Sequence, residues 1–190
     1  MTNPFFKVFC GPMFASKTSQ LLMGLDRLKY QKRSVAAFKP QIDERYDSDH
    51  IVTHMGWKYP AHCIKKGEDI LQILEESSDT PEVIVVDELF MIPGAADALV
   101  FLFRNGFNIM VSSLDFAANG KPFPEVTKIL PWATEIHKCA AVCTVCGSDA
   151  HYTHKKNLNI DEFSVEIGGE ELYEPRCATH FHLLFDLKVL

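Results

Sequence analysis

Two stretches of the chain carry residues of the type and spacing needed to handle a phosphorylated substrate. The first is G-P-M-F-A-S-K-T, Gly11 to Thr18, which follows an apolar run from Phe5 to Cys10 and precedes Leu21, Leu22, Leu25 and Leu28 at helical spacing. It departs by one residue from the phosphate-loop pattern G-x-x-x-x-G-K-[ST], because Ser16 stands at the second glycine. In such a loop main-chain N–H groups wrap the phosphates, the helix N-terminus adds positive potential and the lysine reaches the outer phosphates. Gly11, Pro12, Met13, Phe14, Ala15, Ser16, Lys17 and Thr18 are therefore candidate ATP-binding residues, with the Thr18 hydroxyl a candidate Mg²⁺ ligand. The bland alternative is a turn carrying an exposed lysine. The second stretch is V-I-V-V-D-E, Val83 to Glu88, an apolar strand ending in two carboxylates. An Asp in that position holds Mg²⁺ in phosphate-loop enzymes, which assigns the metal to Asp87 and leaves Glu88 placed to work beside the transferred phosphate.

A third group reads as a metal centre. Cys143-x-x-Cys146 and Cys177-x-x-His180 are two ligand pairs with the spacing of zinc knuckles. Four protein ligands leave no open position, so the expected role is structural Zn²⁺. His182 is an alternative fourth ligand, although the three-residue spacing favours His180. Cys10 and Cys139 lie in apolar runs and read as core thiols, and Cys63 is unassigned.

These groups need elements to hold them. Short apolar runs at Phe5 to Cys10, Ser34 to Phe38, Val83 to Val86 and Asn108 to Ser112 read as buried strands, and helical patterns lie between them at Ser16 to Tyr30, Glu68 to Leu74 and Ala95 to Phe103. Strand followed by helix, repeated, predicts an α/β fold with a parallel sheet flanked by helices. After about Ala140 short segments and paired cysteines take over, predicting an ATP-binding domain over residues 1–139 and a small C-terminal zinc-binding lobe over residues 140–190.

Bulk properties exclude several function classes. The chain has 190 residues, 47% hydrophobic and 23% charged, with no apolar run long enough for a membrane span. The first residues, M-T-N-P-F-F-K, lack the pattern of a secretory signal, so a cytoplasmic location with unbridged cysteines is expected. A net charge of −6 speaks against a broad grip on nucleic acid or an anionic membrane. The same holds for the zinc lobe alone, where eight Asp and Glu outnumber four Lys and Arg between Ala140 and Leu190.

In order along the chain, these features resemble the zinc-containing thymidine kinases. G-P-M-F-A-S-K-T is similar to that family's G-P-M-F-S-G-K-[ST], D-E-R-Y (Asp43 to Tyr46) to its D-x-R-Y, and T-H-M-G (Thr53 to Gly56) to its S-H-x-G. V-D-E-L-F corresponds to D-E-A-Q-F, G-K-P-F (Gly120 to Phe123) to a loop that closes on phosphates, and A-H-Y-T to A-x-Y-T. I-G-G-E-E-L-Y-E-P-R-C, Ile167 to Cys177, keeps the spacing of I-G-G-x-x-x-Y-x-x-x-C.

The resemblance implies a P-loop (RecA-like) sheet and phosphoryl transfer from ATP to the 5′-hydroxyl of thymidine or deoxyuridine in nucleotide salvage. It implies that Glu88 is the catalytic residue that takes or orients the hydroxyl proton, that Arg45 contacts phosphate or its metal shell, and that a lasso of main-chain groups around Phe163, Val165, Ile167, Gly168 and Tyr173 holds the base, with Thr153 beside it. A homotetramer inhibited by thymidine triphosphate is the family habit. The chain departs from the family at Ser16, at Phe90 and Met91 after the paired acids, and at Ala118, where the family's phenylalanine is replaced while Phe116 directly follows Asp115. These departures leave open a kinase of shifted base preference and a nucleotide-binding regulator without turnover.

Overall fold

The computed structural model describes residues 3–42, 49–156 and 168–181. Arg45, Phe163, Val165, Ile167 and His182 lie outside the described residues. The first apolar run is strand β1 (Phe6–Cys10), and the leucine-bearing pattern after the loop is helix α1 (Lys17–Tyr30). Strand β2 (Val35–Pro40) follows, then a hairpin of β3 (His50–Val52) and β4 (Lys58–Pro60), strand β5 (His62–Ile64) and helix α2 (Gly67–Glu76). Strand β6 (Val83–Val86) leads through a short 3₁₀ turn to helix α3 (Ala95–Arg104), strand β7 (Asn108–Ser113), helix α4 (Pro124–Ile129) and strand β8 (Glu135–Lys138).

Six of these strands form one parallel sheet in the order β5-β2-β6-β7-β1-β8. Both faces are covered, which explains why the strands read as continuous apolar runs rather than alternating ones. On one face Phe6, Val8, Ile84, Val86, Ile109 and Val111 pack against residues of α2, α3 and α4, including Ile70, Leu99 and Val126. On the other, Phe9, Val83, Val85 and Met110 pack against Leu21, Leu22, Leu25 and Leu28 of α1. Each fully buried leucine contributes roughly 1.5–3 kcal/mol, so α1 is held firmly where its N-terminus meets the loop.

The order has one consequence for the site. Strand β7 lies between β1, which carries the phosphate loop, and β6, which carries the paired acids. The C-terminal ends of all three strands open on the same edge, where ligands bind in open α/β sheets. The edge strands β5 (H-C-I) and β8 (E-I-H-K) are absent from the sequence expectation because they carry no continuous apolar run.

Beyond β8 come two small antiparallel ribbons, β9 (Ala141–Val142) with β10 (Asp149–Ala150), and β11 (Tyr152–Lys155) with β12 (Tyr173–Arg176). Among the described residues no helix is long and apolar enough to cross a membrane.

Candidate active site and metal centre

The loop after β1 starts against the chain that leaves β8. A Cβ at Gly11 would lie 2.4 Å from the Cys139 carbonyl oxygen, and Gly11 has φ of +150°, so only glycine passes here without displacing backbone. Two non-glycine residues then take the left-handed conformation, Phe14 (φ 65°) and Ser16 (φ 54°). Ser16 thus occupies the motif's second glycine position in the backbone geometry that favours glycine, at a cost of about 1–2 kcal/mol. Its side chain makes no capping hydrogen bond, so its hydroxyl does not supply the helix start that serine usually offers.

The Lys17 side chain is only 7% exposed, and its Nζ donates to the Pro12 carbonyl at 2.7 Å. The lysine is thus folded inward, not exposed on a turn. Loss of hydration lowers its pKa from the ordinary value, and the carboxylates of Glu88 and then Asp87 act in the opposite direction. Thr18 Oγ1 lies 3.1 Å and 3.4 Å from the two Asp87 carboxylate oxygens. A hydroxyl and a carboxylate this close form the hard oxygen pair that suits Mg²⁺. Glu88 follows directly, with a left-handed backbone (φ 51°) and its Oε2 atom buried.

Ser112 was not singled out in the sequence. It is fully buried at the end of β7, and its Oγ donates to Asp87 Oδ1, fixing the carboxylate from the strand between the two motifs. The only local signal is the polar ending of N-I-M-V-S-S. Asp115, two residues beyond β7, is likewise buried and paired with Lys138 at the end of β8. The Lys138 ammonium also stands 5.2 Å from the Phe116 ring centroid. The segment after Asp115 folds back as a small hairpin, with Phe116 bridged to Pro122 and Ala117 N–H donating to the Lys121 carbonyl at 2.9 Å.

Of the residues expected around a nucleoside, Thr153, Gly168 and Tyr173 are described, and all three lie on or beside the β11–β12 ribbon. Thr153 is 3% exposed on β11, and its Oγ1 accepts the Met13 N–H of the phosphate loop at 3.0 Å. Tyr173 is buried at the start of β12 and donates its N–H to the Gly169 carbonyl at 3.0 Å. Gly168 lies just before that turn, where a Cβ would meet Leu172 Cδ1 at 2.3 Å. Phe90 turns onto Phe123, with ring centroids 4.5 Å apart, and its N–H donates to Ser113 Oγ at 3.1 Å.

Cys143, Cys146, Cys177 and His180 come together, with one ligand atom from each lying within 4.8 Å of every other. Cys146 and Cys177 sulfurs are 3.8 Å apart, and His180 Nδ1 is 3.2 Å from the Cys177 sulfur and 3.8 Å from that of Cys143. Tetrahedral zinc with bonds of about 2.3 Å to sulfur and 2.0 Å to nitrogen requires ligand separations of about 3.8 Å and 3.5 Å, so the four donors fit the ion. Desolvation opposes the Cys143 thiolate, but main-chain N–H groups of Cys177, Val145 and Cys146 outweigh it and bring its pKa down to about 6. By contrast, burial pushes the Cys10 thiol up to about 11, which agrees with a core thiol. Cys139 is buried as well, and Cys63 is exposed.

A family model described as thymidine kinase matches residues 5–181. That span takes in the phosphate loop, the paired acids, the strand between them and all four candidate metal ligands. The chain belongs to the thymidine kinase family.

Proposed function

We propose that this family member transfers the γ-phosphoryl group of ATP to the 5′-hydroxyl of thymidine or deoxyuridine, with structural Zn²⁺ in its C-terminal segment. What supports the reading most is the convergence of Lys17, Thr18, Asp87 and Glu88 at the C-terminal ends of β1 and β6. The Lys17 ammonium, already stripped of most of its water, exchanges little hydration when it meets phosphate oxygens, so its charge acts at nearly full strength. Main-chain N–H groups at the start of α1 wrap the phosphates. Mg²⁺ held by Thr18 and Asp87 would supply further positive charge beside them.

Glu88 accepts the 5′-hydroxyl proton as the nucleoside oxygen attacks the γ-phosphorus. The new O–P bond forms, the bond to the β,γ-bridging oxygen breaks, and ADP leaves with that electron pair. Arg45, Phe163, Val165, Ile167, Gly168 and Tyr173 belong to the reading as phosphate and base contacts on the strength of the resemblance, as does a homotetrameric assembly. A second reading, a kinase of the same fold with shifted base preference, draws support from Phe90, whose ring packs on Phe123 where the family carries glutamine.

Three measurements bear on this reading. Glu88→Gln is expected to retain nucleotide affinity and to lose at least about 100-fold in kcat, the usual scale for a lost general base. Near-normal turnover would remove Glu88 from the mechanism. Ser16→Gly is expected to hold activity within about twofold and to leave Tm level or higher, because glycine takes the left-handed backbone without strain. A large loss of activity would show that the Ser16 side chain has a role of its own. Metal analysis of freshly purified protein is expected to give about one zinc per chain, and chelation to lower Tm. Protein isolated without zinc would contradict the four-ligand centre.

A further inference from the structure

One peptide group in the phosphate loop is held from both ends. The Pro12 carbonyl accepts Lys17 Nζ at 2.7 Å, and the N–H of the same peptide unit, that of Met13, donates to Thr153 Oγ1 at 3.0 Å. A planar trans peptide points its C=O and N–H in opposite directions, so fixing one end sets the direction of the other. Polarisation along such a chain also strengthens each bond. Thr153 and Lys17 are 3% and 7% exposed, so water competes weakly at either end.

Thr153 is itself firmly placed. It sits on β11 opposite Pro175 of β12, the strand that runs into Cys177. Its neighbour Tyr152 stacks on Phe181 with ring centroids 4.6 Å apart and 8° between planes, and Phe181 N–H donates to the Cys177 carbonyl at 2.9 Å. Tyr152 also meets Phe116, with ring centroids 6.4 Å apart. The hydroxyl is therefore presented by an element anchored independently of the loop.

We infer that Thr153 is a positioning residue for the nucleotide site: reaching out of the metal-bearing segment, it orients the Pro12–Met13 peptide, which in turn seats the Lys17 ammonium for phosphate. The inference rests on the reading of this loop as the ATP site, and it gives Thr153 a task separate from contact with the base. Without the hydroxyl oxygen the Met13 N–H loses its acceptor, the peptide is free to rotate, and the Pro12 carbonyl no longer holds the lysine in one place.

The test is equilibrium titration of a fluorescent ATP analogue, with no nucleoside present, into wild-type, Thr153→Val and Thr153→Ser proteins, with zinc content and Tm measured on each. Valine keeps the shape and removes the acceptor, and serine restores it. The expected result is binding weakened about tenfold in Thr153→Val and near wild-type in Thr153→Ser, with zinc and Tm unchanged. In steady state the KM for ATP should rise in Thr153→Val while that for nucleoside stays level. Equal binding by wild-type and Thr153→Val, a change confined to the nucleoside KM, or binding lost only in step with zinc or Tm would each overturn the inference. Failure of the wild-type protein to bind the analogue would instead overturn the ATP site itself.

Discussion

An ammonium group at 7% exposure has given up most of its hydration, a loss that costs several kcal/mol unless charges and dipoles replace the water. At Lys17 the replacements are the Pro12 carbonyl and the negative potential of Glu88 and Asp87. Much of the local architecture follows from keeping these groups within reach. The loop must double back, hence the left-handed backbone at Phe14 and Ser16 and the close pass of Gly11 over the Cys139 carbonyl. The acids face the loop across an intervening strand, and Ser112 on that strand joins Thr18 in hydrogen-bonding Asp87. On the proposed reading, the same electrostatic arrangement that makes the lysine tolerable inside the protein is what places a positive charge for a phosphate chain.

The segment that carries the four candidate metal ligands is tied to this centre at more than one point. Cys139 N–H donates to the Cys10 carbonyl at 2.7 Å, at the exit from β8, and Thr153 meets Met13 at the loop itself. The stacked pair of Tyr152 and Phe181 joins β11 to the turn that carries His180. A four-ligand centre has no open coordination position for chemistry, so a metal held by these four residues would serve to fix the strands.

The parts legible in the sequence were those written in local spacing. Lys17 and Thr18 follow the loop glycine at fixed offsets, Asp87 and Glu88 end an apolar strand, and the cysteine pairs announce themselves by their three-residue step. The central strands β1, β2, β6 and β7 were legible because both of their faces are buried. The edge strands β5 and β8 were not, because only one of their residues, Ile64, is fully buried. Least legible were contacts between residues far apart in the chain. Ser112 reaches back 25 residues to Asp87, and Thr153 reaches 140 residues to Met13. Ser112 belongs to no spacing pattern, and the A-H-Y-T resemblance, which puts Thr153 beside the base, says nothing of the bond that it makes to the loop. The left-handed backbone of Ser16 was hidden for a related reason, since the letter records a serine and not its φ angle.

Base choice concentrates the remaining chemistry. If main-chain groups of the segment before Tyr173 hold the pyrimidine edge, changes at Phe90, Met91 and Ala118 alter how closely the ring is enclosed and leave its hydrogen bonds in place. A site built on hydrogen bonds rejects a mismatched partner far more strongly than an apolar slot rejects one additional methyl group. The decisive measurement is transfer of labelled phosphate from ATP across a panel of natural nucleosides. Phosphorylation of thymidine and deoxyuridine, with deoxycytidine and the purine nucleosides poor, is the expected result. Efficient phosphorylation of deoxycytidine or a purine with thymidine ignored, or no transfer to any nucleoside, would contradict the account.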